Sequence, residues 1–162
     1  MPKDDLSNYR PISNLCFLSK VLERALQKRL LAHLSSFPSI SLFQSAYRKF
    51  HSVETTLLKI HNDLLLSLEN KKVSALVLLD MSAAFDTVDH SLLLSRLSGY
   101  FGISGNALSL LSSYLASCTH SVTIDSAISP LSPLICEVPQ GSVLGPLLIT
   151  LYTSPLGQLL SD

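Results

Sequence analysis

Asp80 has the clearest capacity for chemistry in this chain. It closes the apolar run Leu76-Val77-Leu78-Leu79 and precedes Met81-Ser82-Ala83-Ala84. A run of this length reads as an interior strand, and periodicity alone leaves a buried helix open. A carboxylate at the exit of a strand is costly to desolvate unless something positive meets it. Two readings therefore stand: a cap for the helix-compatible Met-Ser-Ala-Ala, or a metal-binding carboxylate at the rim of a sheet. Phe85, Asp86, Asp89 and His90 follow closely, and a Pro-Gln-Gly-Ser turn occupies 139–142. Asp86 and Asp89 read as local caps or surface charges, and His90 as a structural residue. Gly141-Ser142-Val143-Leu144-Gly145 has its serine in the wrong place for a Gly-x-Ser-x-Gly nucleophile elbow.

Other chemistries are argued against by composition. Cys16, Cys118 and Cys136 are far apart, with no Cys-x-x-Cys pair, and the five histidines stand singly. Neither a zinc site nor a disulfide framework is expected; buried free thiols are. The net charge is zero, but residues 1–49 carry +5 and the remainder −5. Beyond Arg96 there is no Lys or Arg. The basic front half reads as a phosphate-facing surface, through counterion release, or as a solvated helix face; for Lys20 to Arg29 both readings are open. Apolar runs such as Leu64-Leu65-Leu66 are too short to span a bilayer, and Met1-Pro2-Lys3-Asp4-Asp5 lacks the core of a signal peptide. An intracellular, reducing setting is expected.

The elements that must position these residues can be read in order. Pro11 disfavours helix at Arg10; Ser13 or Asn14 then caps a helix through about Ser35. Leu18, Leu22, Leu26, Leu30 and Leu34 give it an apolar stripe that reads as core. Phe37-Pro38-Ser39 ends it, and 40–51 reads as a loop or short hairpin. A second helix runs from about Ser52 to Glu69, with Ser52 as N-cap and Glu54 in the first turn, where the dipole favours an acid. Asn70-Lys71-Lys72 turns into a strand over 73–80. Helices near 90–101 and 104–116 follow, separated by Gly102. Strand-like segments at 119–124 and 132–138 flank a turn containing Pro130 and Pro133, and a last helix covers about 145–160. A hydrophobic content of 47% with only 15% charged residues fits a piece that expects to be covered by something else.

Four blocks carry a family resemblance: Leu6–Leu26 (LSNYRPISNLCFLSKVLERAL), Phe43–Leu57 (FQSAYRKFHSVETTL), Leu76–His90 (LVLLDMSAAFDTVDH) and Glu137–Tyr152 (EVPQGSVLGPLLITLY). Asp80 with Phe85 at the end of an apolar strand resembles motif A of nucleic-acid polymerases. The blocks, in order and spacing, resemble the reverse transcriptases of LINE-type (non-LTR) retrotransposons. The resemblance implies an α+β fold: polymerase fingers over about 1–72, and a partial palm over about 73–162 with intervening fingers elements. The palm's antiparallel sheet, packed by helices, would be incomplete. It also implies RNA-directed DNA synthesis by two-metal nucleotidyl transfer, with Mg2+, dNTPs, an RNA template and a DNA primer as partners, and no membrane.

By the same resemblance Asp80 would be a metal ligand and catalytic carboxylate. Phe85 would be the gate that packs under the sugar and rejects a 2′-hydroxyl. In Pro139-Gln140-Gly141-Ser142, which resembles motif B, Gln140 would touch the incoming nucleotide or template base pair. Gly141 would admit the substrate without a Cβ clash. Arg48, assisted by Lys49, would grip the triphosphate. Arg10 would contact the template, a salt bridge to Asp4 or Asp5 being its structural alternative. Many relatives read Phe-Arg-x-Gly-x-Ser where this chain has Tyr47-Arg48-Lys49-Phe50-His51-Ser52, so Phe50 replaces a glycine. The third block of the family, an aromatic-x-Asp-Asp hairpin, is not found; the only adjacent aspartates are Asp4-Asp5. The expectation is a polymerase segment inactive by itself, with an unpaired sheet edge and exposed core. The alternative is a decayed remnant that at most binds nucleic acid.

Overall fold

A computed structural model describes residues 12–36, 44–81, 83–116, 118–124 and 126–159. Arg10 and the expected helix-breaking Phe37-Pro38-Ser39 lie outside these. The described residues combine helices with small antiparallel strands, an α+β composition. Helix α1 spans Phe17–Leu34, α2 Val53–Glu69, α3 His90–Gly99, α4 Gly105–Leu115 and α5 Gly145–Leu159. Among the described residues no helix is long and apolar enough to cross a membrane.

The core is built where apolar side chains from three consecutive helical segments converge. α3 packs on both α4 and α5, burying Leu93, Leu97, Leu111, Leu115, Leu148 and Leu151. Phe101 and Ile103, in the turn between α3 and α4, are buried with them. That turn closes at Gly102 (φ 63°), where the Ile103 N–H reaches the Leu97 carbonyl at 3.0 Å. α1 joins through its carboxyl-terminal half, with Leu30 and Leu34 buried and His33 Nε2 donating to the Phe101 carbonyl at 2.8 Å.

The apolar stripe of α1 is thus core only in part: Leu18 and Leu22 are 65% and 64% exposed. The helix also begins later than Ser13 or Asn14 would cap it, with Cys16 in the N-cap position. The Ser13 N–H is instead committed to the Gln140 carbonyl at 3.3 Å, which holds the lead-in extended. Cys16 is exposed rather than buried, while Cys118 and Cys136 are half-buried.

α2 forms as its ends dictate. Ser52 Oγ accepts from the Thr55 N–H at 3.2 Å while Thr55 Oγ1 accepts from the Ser52 N–H at 2.9 Å, a reciprocal capping box. Lys59 and Asp63 pair at 2.8 Å across one turn, an exposed contact worth well under about 1 kcal/mol. No residue of α2 is buried.

The sheet departs from expectation. Residues 73–80 form no strand, and Leu76, Val77, Leu78 and Leu79 are all exposed, Leu78 to 80%. A strand exists only where a neighbour takes its N–H and C=O groups, and no described residue pairs with this run. The strands that do form are two residues each: β1 Thr119–His120, β2 Thr123–Ile124, β3 Ala127–Ile128 and β4 Ser132–Pro133. β1 pairs with β4 (Thr119 opposite Pro133) and β2 with β3 (Thr123 opposite Ile128), so the segment is one ribbon bent back between Ile124 and Ala127. The turn is therefore not at Pro130 and Pro133, and Pro133 sits in the return strand. All four strands are exposed rather than packed under helices.

α5 carries two prolines. Pro146 occupies its first turn, where a missing N–H costs nothing. Pro155 lies inside it and cannot bond the Leu151 carbonyl; Ser154 Oγ donates to that carbonyl instead, at 3.0 Å. The helix continues past the proline because the freed acceptor is satisfied.

Candidate functional site

The segment after Asp80 and the Pro-Gln-Gly turn lie far apart in sequence, and the backbone joins them. The Val138 N–H donates to the Phe85 carbonyl at 2.8 Å, and the Glu137 N–H to the Val88 carbonyl at 3.0 Å. Asp89 and Cys136 form an antiparallel bridge. His90 Nε2 donates to the Glu137 carbonyl at 2.7 Å, a structural role. Asp89 caps α3, accepting from the Leu92 N–H at 2.7 Å; hydrogen bonds from Ser91 and then from this amide hold its carboxyl below the usual range.

Within this junction Gln140 is oriented from across the gap. Its Nε2 donates to Asp86 Oδ1 at 2.6 Å, so Asp86 fixes which way the amide points. The Ser142 N–H donates to the Pro139 carbonyl at 3.2 Å, closing a turn whose third residue, Gly141, has φ 86°. That is the φ a type II turn demands there and glycine adopts without cost. Glu137, just before the turn, has φ 111° without being glycine, a local strain of about 1–3 kcal/mol. Burial, and then the charge of Asp86, push its carboxyl above the usual range, with His120 and His90 opposing.

The exit of the turn leaves no room for a side chain. A Cβ on Gly145 would stand 2.7 Å from Ser142 Oγ, 3.2 Å from the Pro139 carbonyl oxygen and 3.3 Å from the Phe85 ring. Phe85 is half-buried and packs against the core, so its ring, the turn and the start of α5 meet at this one glycine. Ser142 Oγ accepts from the Gly145 N–H at 2.9 Å.

The strongest hold on the turn comes from a residue not singled out as a site candidate. Glu23 of α1 is only 4% exposed, and its Oε2 accepts from the Val143 N–H at 2.6 Å and the Leu144 N–H at 3.1 Å. One turn further along α1, Gln27 Nε2 donates to the Val143 carbonyl at 3.1 Å. A carboxylate at the amino end of α5 meets both its unpaired N–H groups and its dipole. The other oxygen, Oε1, is buried without a partner, as is the hydroxyl of Tyr114 on α4. Burial raises the Tyr114 phenol to about 12, opposed by Ser142 and reinforced by the Glu23 charge. The available signal was positional: Glu23 is the sole acid of α1 and stands at helical spacing from the buried Leu30 and Leu34.

Of the residues expected to act, the structure joins Phe85, Gln140 and Gly141. Asp80 stands upstream of the junction, exposed and with no hydrogen bond or ion pair among the described residues. Arg48 is exposed, its Nη1 donating to the Gln44 carbonyl at 3.5 Å; Lys49 Nζ lies 4.8 Å above the Phe50 ring. Phe50 has φ 65°, a left-handed conformation that glycine adopts without the Cβ penalty. A hard cation needs several oxygen donors. Asp80 is one such donor and free to serve, yet no group of three His, Cys, Asp or Glu converges among the described residues. Asp80 therefore fits as one ligand of a divalent ion but does not complete a seat for it.

The family model described as reverse transcriptase (RNA-dependent DNA polymerase) matches residues 1–162. Curated relatives include the RNA-directed DNA polymerase from mobile element jockey of Drosophila melanogaster, 34% identical over 152 residues, covering 94% of this chain and 16% of the relative. The probable RNA-directed DNA polymerase from transposon BS of the same fly is 32% identical over 160 residues, covering 96% and 17%. That from transposon X-element is 33% identical over 162 residues, covering 97% and 17%. The chain thus spans about a sixth of the length of these relatives.

Proposed function

The chain belongs to the reverse transcriptase (RNA-dependent DNA polymerase) family, and on that premise we propose that it is the nucleotide-presenting part of a LINE-type mobile-element polymerase. Residues up to about 72 supply fingers and the rest the first part of the palm. The supporting observation is the clamp between the Phe85–Asp89 segment and the Cys136–Gly145 loop, which sets Gln140 and Gly141 beside Phe85.

In this reading a dNTP lies over Gly141, whose missing Cβ leaves space and whose turn exposes backbone. Gln140, held by Asp86, faces the base pair; Phe85 closes the floor under the sugar. Arg48 and Lys49 receive the triphosphate, and Arg10 the template strand. Asp80 would contribute one carboxylate to a divalent metal, Mg2+ by its hard oxygen preference, which when bound would supply the charge stabilisation of two-metal nucleotidyl transfer. RNA template and DNA primer are the partners, as the relatives' activity suggests.

Photo-cross-linking of the purified 162-residue chain with an azido-dNTP tests this. The adduct is expected within 44–49 or 139–142 and is expected to fall in Gln140→Ala. Labelling elsewhere, indifferent to that substitution, would remove the nucleotide site. Primer extension by this chain alone is expected to be absent, because among the described residues no group of three metal-ligating side chains converges on Asp80. Incorporation abolished by Asp80→Ala would show that expectation to be wrong.

A further inference from the structure

We infer that the outer stripe of α1 formed by Lys20, Arg24 and Lys28 is a track for the phosphates of a single-stranded nucleic acid, the RNA template of the reading above, on which this inference rests. The three side chains are exposed and stand at i, i+4 and i+8, on one line along the helix. Successive charges are about 6 Å apart along the axis, a step a strand can follow phosphate by phosphate. None of them forms an ion pair among the described residues, where the ion pair present is Lys59–Asp63.

What makes this stripe more than a solvated face is the fate of its acid. A cationic helix surface is ordinarily interleaved with carboxylates that offset it. The single acid of α1, Glu23, is withdrawn into the interior, where it binds the Val143 and Leu144 amides. The outer face is left uncompensated, and the buried carboxylate lies only about 100° round the helix from Arg24. One helix thus carries a charged track outside and the anchor of the Gln140-Gly141 turn inside. A template strand lying on the track would be held by the same rigid element that fixes the turn beside its base. Phe17, 82% exposed and three residues before Lys20, lies on the same line and offers a ring for a base to stack on.

The test is fluorescence anisotropy of a labelled mixed-sequence oligoribonucleotide titrated with the 162-residue chain across a salt series. Each phosphate contact on a single strand contributes about 0.7 to the slope of log K against log salt. Lys20→Gln/Arg24→Gln/Lys28→Gln is therefore expected to lower the slope by about 2, equally for all oligonucleotide sequences. Between about 50 and 200 mM salt the parent should lose roughly 18-fold more affinity than this variant. Lys71→Gln/Lys72→Gln, in the exposed turn after α2, is expected to leave the slope unchanged. Retention of azido-dNTP labelling in the triple variant would show that the turn is intact.

If the parent binds RNA and the triple variant keeps the slope, or the Lys71/Lys72 variant lowers it as much, the track is overturned while the polymerase reading stands. If the parent binds no RNA, both fall. Capture by phosphatidylserine vesicles in place of RNA, lost in the triple variant, would overturn the track in favour of a membrane surface.

Discussion

Replacing Glu23 should release the turn that presents Gln140 and Gly141, and its cost can be worked from the contacts. Oε2 accepts two backbone N–H groups, at 2.6 and 3.1 Å, and a hydrogen bond to a charged group is worth about 1.5–3 kcal/mol. Glu23→Ala removes both and strands the buried Leu144 amide at the start of α5. Against this, the carboxylate itself is desolvated and leaves Oε1 without a partner, which reduces what its removal costs. A net loss of about 3–4 kcal/mol is expected. With a urea slope of about 2 kcal/mol per molar, the unfolding midpoint falls by roughly 1.5–2 M. Exchange at the Val143 and Leu144 amides, read by hydrogen–deuterium mass spectrometry, should accelerate about a hundredfold or more.

Glu23→Gln separates charge from shape. Its carbonyl oxygen can still accept both amides, and its neutral amide replaces a buried carboxylate oxygen that now lacks a partner. The loss should then be about 1 kcal/mol or less. An Ala variant whose midpoint moves by less than about 0.5 M would refute the claim that this carboxylate holds the turn. A Gln variant as damaged as the Ala one would refute the account of the orphaned oxygen.

Gly145→Ala places a methyl 2.7 Å from Ser142 Oγ and should cost about 1–3 kcal/mol; in a Ser142→Ala background the penalty should shrink, and an additive double-mutant cycle in chemical denaturation would dismiss the clash. Tyr114 is held neutral up to about 12, so its stabilising share is complete below the unfolded phenol's value near 10 and is lost as pH climbs between the two. Alkaline titration of stability should show roughly 1–2 kcal/mol of that loss, allowing for the ring's partial exposure, and Tyr114→Phe should flatten it while leaving stability at pH 7 equal or higher. At Phe50, with φ 65°, Gly should be more stable than Ala by about 1 kcal/mol, the reverse of their usual order; equal thermal midpoints would mean the loop does not hold that conformation.

Helices were legible because their signals are local. Ser52 three residues before Thr55, Asp89 before an apolar run, and Gly102 between two periodic segments each fix an end by chemistry within a turn or two. The strand over 73–80 was misread for the converse reason. An apolar run declares that it wants burial, not that anything is present to pair with it, and no described residue does. Of the strands expected at 119–124 and 132–138, the first region pairs while the second does so only at Ser132–Pro133, and Ala127–Ile128 was missed, because Pro130 and Pro133 punctuate strongly while the real reversal near Ser126 carries a weaker signal. Phe50, where many relatives carry glycine, has φ 65° and so bears the strain of a left-handed backbone that glycine would adopt freely.

The candidate site shows the same division between local and distant causes. Phe85, Gln140 and Gly141 could be picked out from their blocks, because a Pro-Gln-Gly turn and an aromatic after an apolar run are short patterns. What brings them together could not. Glu23, Asp86 and Gly145 act across 120, 54 and some 60 residues respectively, and each looks ordinary beside its neighbours. Glu23 looks like the lone acid of a basic helix, Asp86 like a surface charge, Gly145 like a helix start. Their roles depend on an approach of chain segments that no spacing encodes, yet they decide whether the turn is rigid. The physical asymmetry is general: a residue that touches a ligand is constrained by the ligand's chemistry and so has a recognisable type. A residue that holds it in place is constrained only by where the fold puts it.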